Sequence, residues 1–449
     1  MKSLQYAPLI YLALVGCASP PSNYSGSRDA WDEMRSNVRE LNAVERPVLA
    51  DNAGLRELLE FARTNNPGLG AAFQNWRAAL ERVPQVMALP NPRLSFGAYL
   101  SEVETRVGPM QGRIGVSQPF PWFGKLELAG DVAFEASEAA RQALEAARLA
   151  LDEKVRNTWY EYAWVERAIQ ITEGNRELLT HWEGVARSRM QTGLGRHADV
   201  IRAQVELGKL EDRVQTLSDL RRPLAAALNA ALNRPSTAPL PNPSFPEQVP
   251  VPADQERLLA SLQESSPVLK AQRHHQRSAE HAVLLADKAF YPDLSIGVDY
   301  TLIGDALNPN MAGSGDDAVA LSLGLDLPIW RDSYRAGSRR AEAQAKAAGL
   351  NYEQQLNQLT AELEMALYKF RDADRRIELY SGSLVPKGEE SIQALNTAYQ
   401  TGEGGFLDLI DAERVLLEFQ LQAVRAVADR AKALATTERI TGVQLNQDR

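Results

Sequence analysis

Ser117-Gln118-Pro119-Phe120-Pro121-Trp122-Phe123-Gly124-Lys125 is where the chain changes character. Before it, residues alternate as in a strand. After it, no proline occurs until Pro223. Residues 124–192 are charged, alanine-rich and helix-forming; unbroken, they would run roughly 100 Å. Leu126, Ala133, Ala140 and Ala147 form one line at heptad spacing, and Ala129, Ala136, Ala143 and Ala150 form the next. Small residues repeated in this way let neighbouring helices approach closely. A solvated coiled coil satisfies the same pattern, so the surroundings must decide.

The chain is acidic, with net charge −9, which argues against a nucleic-acid partner. Its one cysteine, Cys17, excludes an internal disulfide. Met1-Lys2 gives a short positive start, residues 8–15 a brief apolar run, and Leu14-Val15-Gly16-Cys17 follows. This resembles a bacterial lipoprotein signal, residues 1–16, cut before Cys17. That likeness implies a diacylglyceryl thioether on Cys17 and, with Ala18 next to it, sorting to the outer membrane. Residues 17–54 read as a lipidated N-terminal tether, with a short helix near 29–41.

Self-similarity organises the rest. A shift of 200 superposes Leu58, Pro67, Pro92, Leu94 and Gly97 on Leu258, Pro267, Pro292, Leu294 and Gly297. Further on, a shift of 209 superposes Pro119, Gln191, Gly193, Asp199 and Leu207 on Pro328, Gln400, Gly402, Asp408 and Leu416. The reading is a first repeat over 55–235, a proline-rich connector over 236–253, a second repeat over 254–442 and a tail over 443–449. Each repeat holds two strands of alternating residues, near 92–118 and 293–327. In the first, Leu94, Phe96, Ala98 and Leu100 oppose Ser95, Gly97, Tyr99 and Ser101. Polar loops are expected at 101–111 and 303–317.

Apolar-out, small-polar-in alternation fits a membrane β-barrel, with Phe120, Trp122, Phe123, Tyr291 and Trp330 as interface aromatics. Soluble hairpins packed on a helical body fit the same alternation. If the strands do face lipid, four cannot close a barrel, and lipid does not tolerate an open edge. Three chains would supply twelve strands.

At this point the sequence resembles the TolC-like outer-membrane efflux factor family. The likeness rests on the corner at 117–125 and its parallel Leu327-Pro328-Ile329-Trp330. It rests equally on two tip motifs, Arg189-Met190-Gln191-Thr192-Gly193-Leu194 with Ala198-Asp199, and Tyr399-Gln400-Thr401-Gly402 with Phe406-Leu407-Asp408-Leu409-Ile410-Asp411. The resemblance implies a mostly α-helical protomer with a membrane β part: a homotrimer whose twelve-stranded outer-membrane barrel continues as a helical periplasmic tunnel. It implies a passive exit duct for small molecules or metal cations. The duct would dock on a periplasmic adaptor and, through it, on an inner-membrane efflux pump of the resistance-nodulation-division type. The corner is closer to the heavy-metal cation branch than to the drug branch. The adaptor-facing tips would be Thr192, Gly193, Leu194 and Gly195, with Thr401, Gly402, Glu403 and Gly404. Asp408 and Asp411 would line a periplasmic gate; the first repeat matches Asp408 with Asp199 but offers Arg202 for Asp411. Pro386 is expected to kink the second long helix.

No nucleophile–base arrangement, phosphate loop or zinc-ligand spacing is visible, so neither an enzyme nor a cofactor is expected. His274, His275 and His281 read as solvated helix residues. A periplasmic coiled-coil lipoprotein without a pore remains the other reading, and the strands discriminate between the two.

Overall fold

A computed structural model describes residues 20–37, 49–244, 254–308 and 310–445. The signal segment, Cys17 and residues 245–253 of the connector lie outside the described residues. In chain order the elements are α1 (Tyr24–Asn37), α2 (Leu55–Asn65), α3 (Pro67–Met87), β1 (Arg93–Thr105), β2 (Gly108–Phe120), α4 (Lys125–Gln191) and α5 (His197–Ala231). There follow α6 (Gln255–Ser265), α7 (Pro267–Lys288), β3 (Asp293–Ile303), β4 (Ala318–Asp326), α8 (Arg331–Leu379), a π-helical turn (Tyr380–Leu384), α9 (Val385–Thr401) and α10 (Phe406–Thr441). They divide into two compact units, one of residues 1–33, 74–141 and 271–353, the other of residues 34–73, 142–270 and 354–449.

The first unit holds a four-stranded antiparallel sheet in the order β1-β2-β3-β4. Its register sorts the side chains. Leu94 pairs with Val116 and Phe96 with Ile114; Val116 pairs with Val298 and Ile114 with Tyr300; Val298 pairs with Leu321 and Ile296 with Leu323. Because facing residues share a side of the sheet, these form one continuous apolar face. Ser95, Gly97, Gly115, Ser117, Ser295, Gly297, Ser322 and Gly324 form the other. Phe96 is 73% and Leu321 71% exposed within the single chain. An apolar face this bare needs another apolar medium or partner.

The expected loop at 101–111 is mostly strand. Thr105 pairs with Gly108 across a two-residue turn, Arg106-Val107. Gly108 sits at φ +133°, and a Cβ there would strike the Gly304 carbonyl. In β3–β4 the connection remains open from Gly304 to Asp317. Within the stretch read as a tether, the expected short helix starts earlier than residue 29. Helix α1 begins at Tyr24, Ser27 Oγ donates to Glu138 Oε1 (2.7 Å), and the Arg77 guanidinium lies 5.1 Å from the buried Trp31 ring. Tyr24 packs with Val83, Met87, Ala133 and Phe134.

In the second unit, α4, α5, α9 and α10 share a core that includes Val165, Leu179, Trp182, Ala203, Leu409 and Leu417. A second cluster joins Leu58 and Ala62 of α2 to Val155 and Trp159 of α4 and to Leu228 of α5. Of the two alanine lines, Ala133 is buried but Ala143 and Ala150 are exposed. The buried seam of α4 runs instead through Ser137, Leu144, Leu151 and Val155. Pro386 sits in the first turn of α9, directly after the π turn that breaks the α-helical hydrogen bonding between α8 and α9. The adjustment falls earlier, as the π turn, and the Val385 N–H reaches back to the Tyr380 carbonyl. A shift to i→i+5 bonding accommodates a proline ring that would otherwise meet the carbonyl four residues before it.

Candidate functional site: the tip turns and the strand-to-helix corner

Helices α4 and α9 end in the same cap. After α4, Gly193 takes φ +75°, and the Leu194 and Gly195 N–H groups donate to the Arg189 carbonyl at 2.8 and 2.9 Å. After α9, Gly402 takes φ +87°, and the Glu403 and Gly404 N–H groups donate to the Ala398 carbonyl, both at 2.9 Å. Left-handed φ is available to glycine without a Cβ penalty, so both helices can stop within one turn. Thr192 and Thr401 bond back to carbonyls three and four residues earlier. Thr192, Gly193, Leu194, Gly195, Thr401, Gly402 and Glu403 are thus set out on two rigid turns. Leu194 is 73% exposed.

Arg189, a residue of the first tip motif with no role assigned above, joins the two tips. Arg189 Nη1 donates to the Tyr399 and Gln400 carbonyls at 2.9 and 3.2 Å. Its guanidinium lies 5.0 Å from the Tyr399 ring. A cation on the last carbonyls of α9 meets the negative end of that helix. Tyr399 is buried against Phe406, ring centroids 5.2 Å apart. Burial pushes its phenol pKa up. Arginine in a final turn is an ordinary signal; that it serves a helix 210 residues away is not written locally.

Asp408 and Asp411 both lie exposed in the opening turns of α10. Asp408 folds back toward its N-cap: a Cβ on Gly405 would stand 2.8 Å from Asp408 Oδ2. Asp411 Oδ1 accepts from Arg414 Nη1 at 3.4 Å. Asp199, the first-repeat counterpart of Asp408, is buried and accepts from Arg196 Nε at 3.4 Å. The geometry therefore separates the two repeats: one acid is turned inward, two are presented.

Behind them lies Glu413, 1% exposed, with Oε1 unpartnered. Burial first, and then the Glu206 carboxylate, push its carboxyl up to about 7 against the pull of Arg414. It borders a groove with Glu206, Lys209 and Arg213. A Glu on an apolar helix face was the available signal.

At the corner, Trp122 stacks on Tyr291 (5.4 Å, 17°) and Phe123 meets Trp122 edge-on at 5.8 Å. The Trp122 N–H and Lys125 Nζ both donate to Asp293 Oδ1, at 2.7 and 2.6 Å. Gly124, at φ +81°, makes the turn between them. The corner of repeat one is thus fastened to the first residue of β3. Phe123 and Trp330 are 82% and 73% exposed, and Phe120 is half-buried.

The histidines depart from expectation. His274 Nδ1 lies 2.7 Å from Glu135 Oε2, and His281 Nδ1 is 4.0 Å from Asp131 Oδ2. Burial holds His275 down. His274 is therefore hydrogen-bonded to α4, whereas His281 only stands near an α4 carboxylate. Among the described residues, no group of three or more His, Cys, Asp or Glu side chains is placed to hold a metal ion. Nor is any helix among them long and apolar enough to cross a membrane.

The fold is shared with solved proteins. CusC, described as undergoing transmembrane channel formation, matches with TM-score 0.74 and 16% identity over 90% of this chain and 96% of its own. The outer membrane protein VceC of Vibrio cholerae matches with TM-score 0.71 and 20% identity over 87% and 97%. In sequence, the cobalt-zinc-cadmium resistance protein CzcC of Cupriavidus metallidurans is 23% identical over 392 residues, 86% of this chain and 90% of that protein. Toxin and drug export protein A of Aggregatibacter actinomycetemcomitans is 23% identical over 391 residues, 84% of each. The family model described as outer membrane efflux protein matches residues 58–234 and 258–443, both repeats and little else. The chain therefore belongs to the outer membrane efflux protein family.

Proposed function

We propose that three copies of this chain form a passive exit duct of a tripartite efflux system in the outer membrane. The observation that carries it is the open sheet. It has four strands, one largely apolar face, and edges β1 and β4 that pair with no further strand among the described residues. Unpaired edges and a bare apolar face are satisfied together only if copies pair edge to edge and the apolar face meets lipid. Three copies give twelve strands, an even number in the range of such barrels. Trp122, Phe123, Tyr291, Phe120 and Trp330 then form the interface belt, and Cys17 carries the lipid anchor.

The tip turns at 192–195 and 401–404 are the docking points for a periplasmic adaptor, which couples the duct to an inner-membrane pump. The chain performs no catalysis; transport energy comes from the pump. Two acids presented on α10 favour cationic cargo. That agrees with the name of CzcC, whereas the export protein named for toxin and drug supports an organic cargo.

The test is reconstitution. Material extracted from outer membranes should run as a heat-modifiable trimer and give steady conductance in planar bilayers. A monomer without conductance would leave a periplasmic coiled-coil scaffold. Fatty-acid labelling that is lost in Cys17→Ser tests the anchor, and equal labelling of that variant would remove it.

A further inference from the structure

We propose that Arg113, held in the barrel wall by Asp299, is a specificity-determining residue that contacts anionic groups in the lumen. This rests on the trimeric pore proposed above, in which the small-polar face of the sheet lines the lumen. The middle of that face has two rows. One is Gly97, Arg113, Thr301 and Ala318; the next is Ser95, Gly115, Asp299 and Ala320. Of these eight side chains only Arg113 and Asp299 are ionisable.

They are diagonal neighbours, and the pairing is bidentate. Arg113 Nε donates to Asp299 Oδ1 at 3.0 Å, and Nη2 donates to Oδ2 at 2.8 Å. The backbone around them is cleared for this. A Cβ on Gly115 would collide with Asp299 Oδ1 and would stand 2.7 Å from Ser95 Oγ. Any other residue at 115 would push the carboxylate out of its seat.

The two partners are unequally presented. The Asp299 side chain is 13% exposed and that of Arg113 52%. The carboxylate is therefore recessed while half of the Arg113 side chain is exposed, with Nη1 outside the pair. A bidentate carboxylate fixes the plane of the guanidinium and leaves its remaining donors for a second acceptor. Each pair is neutral overall, so the level adds no net charge, but its water-facing side is cationic. In the trimer, three such guanidiniums stand at one height among serine, glycine and alanine, which offer no competing charge. The class of ligand is a carboxylate or phosphate group. A cation gathered at an acidic mouth would meet no further binding site at this level.

Single-channel recording with tripolyphosphate added on the barrel side tests this. Wild type should be blocked. Arg113→Gln with Asp299→Asn keeps the level neutral and leaves no unpaired wall charge. That double variant should need about tenfold more tripolyphosphate, the worth of one charge-assisted hydrogen bond. Asp299→Asn alone, which frees the guanidinium, should be blocked at lower concentration than wild type. Equal block of wild type and double variant, or no block of wild type, overturns the assignment. Absence of any channel in wild type instead removes the pore on which it rests.

Discussion

Glu413 occupies in the second repeat the position that Gln204 holds in the first (413 − 209 = 204). Gln204 has a partner: its Nε2 donates to Glu183 Oε1 at 3.0 Å. The counterpart of Glu183 is Ile392 (392 − 209 = 183), which accepts and donates nothing through its side chain. An acid thus stands where the fold has prepared a neutral site. Its pKa rises from 4.5 to about 7, chiefly because burial penalises the carboxylate. A raised carboxyl pKa means that the folded state binds more protons than the unfolded one. Stability therefore falls as pH rises from about 4.5 to about 7, and above that the loss is complete, roughly 3 kcal/mol. Lys209, Arg213, Asp411 and Arg414 also face this groove. They keep their types in Glu413→Gln, so the variant isolates one carboxyl. Melting of the helical signal should be nearly equal for wild type and Glu413→Gln at pH 5, with the variant higher at pH 8. A wild-type pH slope retained in Glu413→Gln would assign the dependence to other groups.

At the scale of elements, the strands make the sharpest forecast. Ile296 belongs to the apolar face, between Gln118 on β2 and Leu323 on β4, while Ser295 belongs to the opposite face. A charge in the lipid midplane costs roughly 2–4 kcal/mol for Arg or Lys. Ile296→Arg should lower the yield of heat-modifiable trimer from outer membranes, and Ser295→Arg should lower it less. The reverse order would exchange lumen and lipid. The alternation behind this was legible because a period of two is local, and so were the two tip turns, since glycines 193 and 402 mark them. What was not legible has two causes. Glu102, Glu104, Arg106 and Gln111 made 101–111 read as a loop, although hairpin pairing needs only backbone groups and a two-residue turn. The fastenings of the site cross between repeats: Arg189 to the Tyr399 carbonyl, Lys125 to Asp293, Arg113 to Asp299. Each partner lies more than 160 residues away, and no local pattern names it.

For the whole assembly the decisive question is whether Asp408 and Asp411 form a gate. Within one chain they have partial occupations. Asp408 leans toward the N-cap of α10, where an acid complements the helix dipole, and Asp411 is 3.4 Å from Arg414. Neither occupation uses them up, because both side chains are exposed and an exposed ion pair is worth at most about 1 kcal/mol. If three copies bring their tips together, six carboxylates (2 × 3) gather at one mouth. Such a ring concentrates cations and binds multivalent ones. The first repeat adds nothing to it: Asp199 is buried and the counterpart of Asp411 is Arg202. A trivalent cation on the periplasmic side should therefore block single channels at low concentration. Asp408→Ala with Asp411→Ala should be far less sensitive and less cation-selective. The sheet supplies an internal control, since the double Arg113 and Asp299 variant should keep its trivalent block while needing about tenfold more tripolyphosphate. If trivalent block is unchanged in the Asp408 and Asp411 double variant, the two acids serve their helix terminus and the gate is built from other residues.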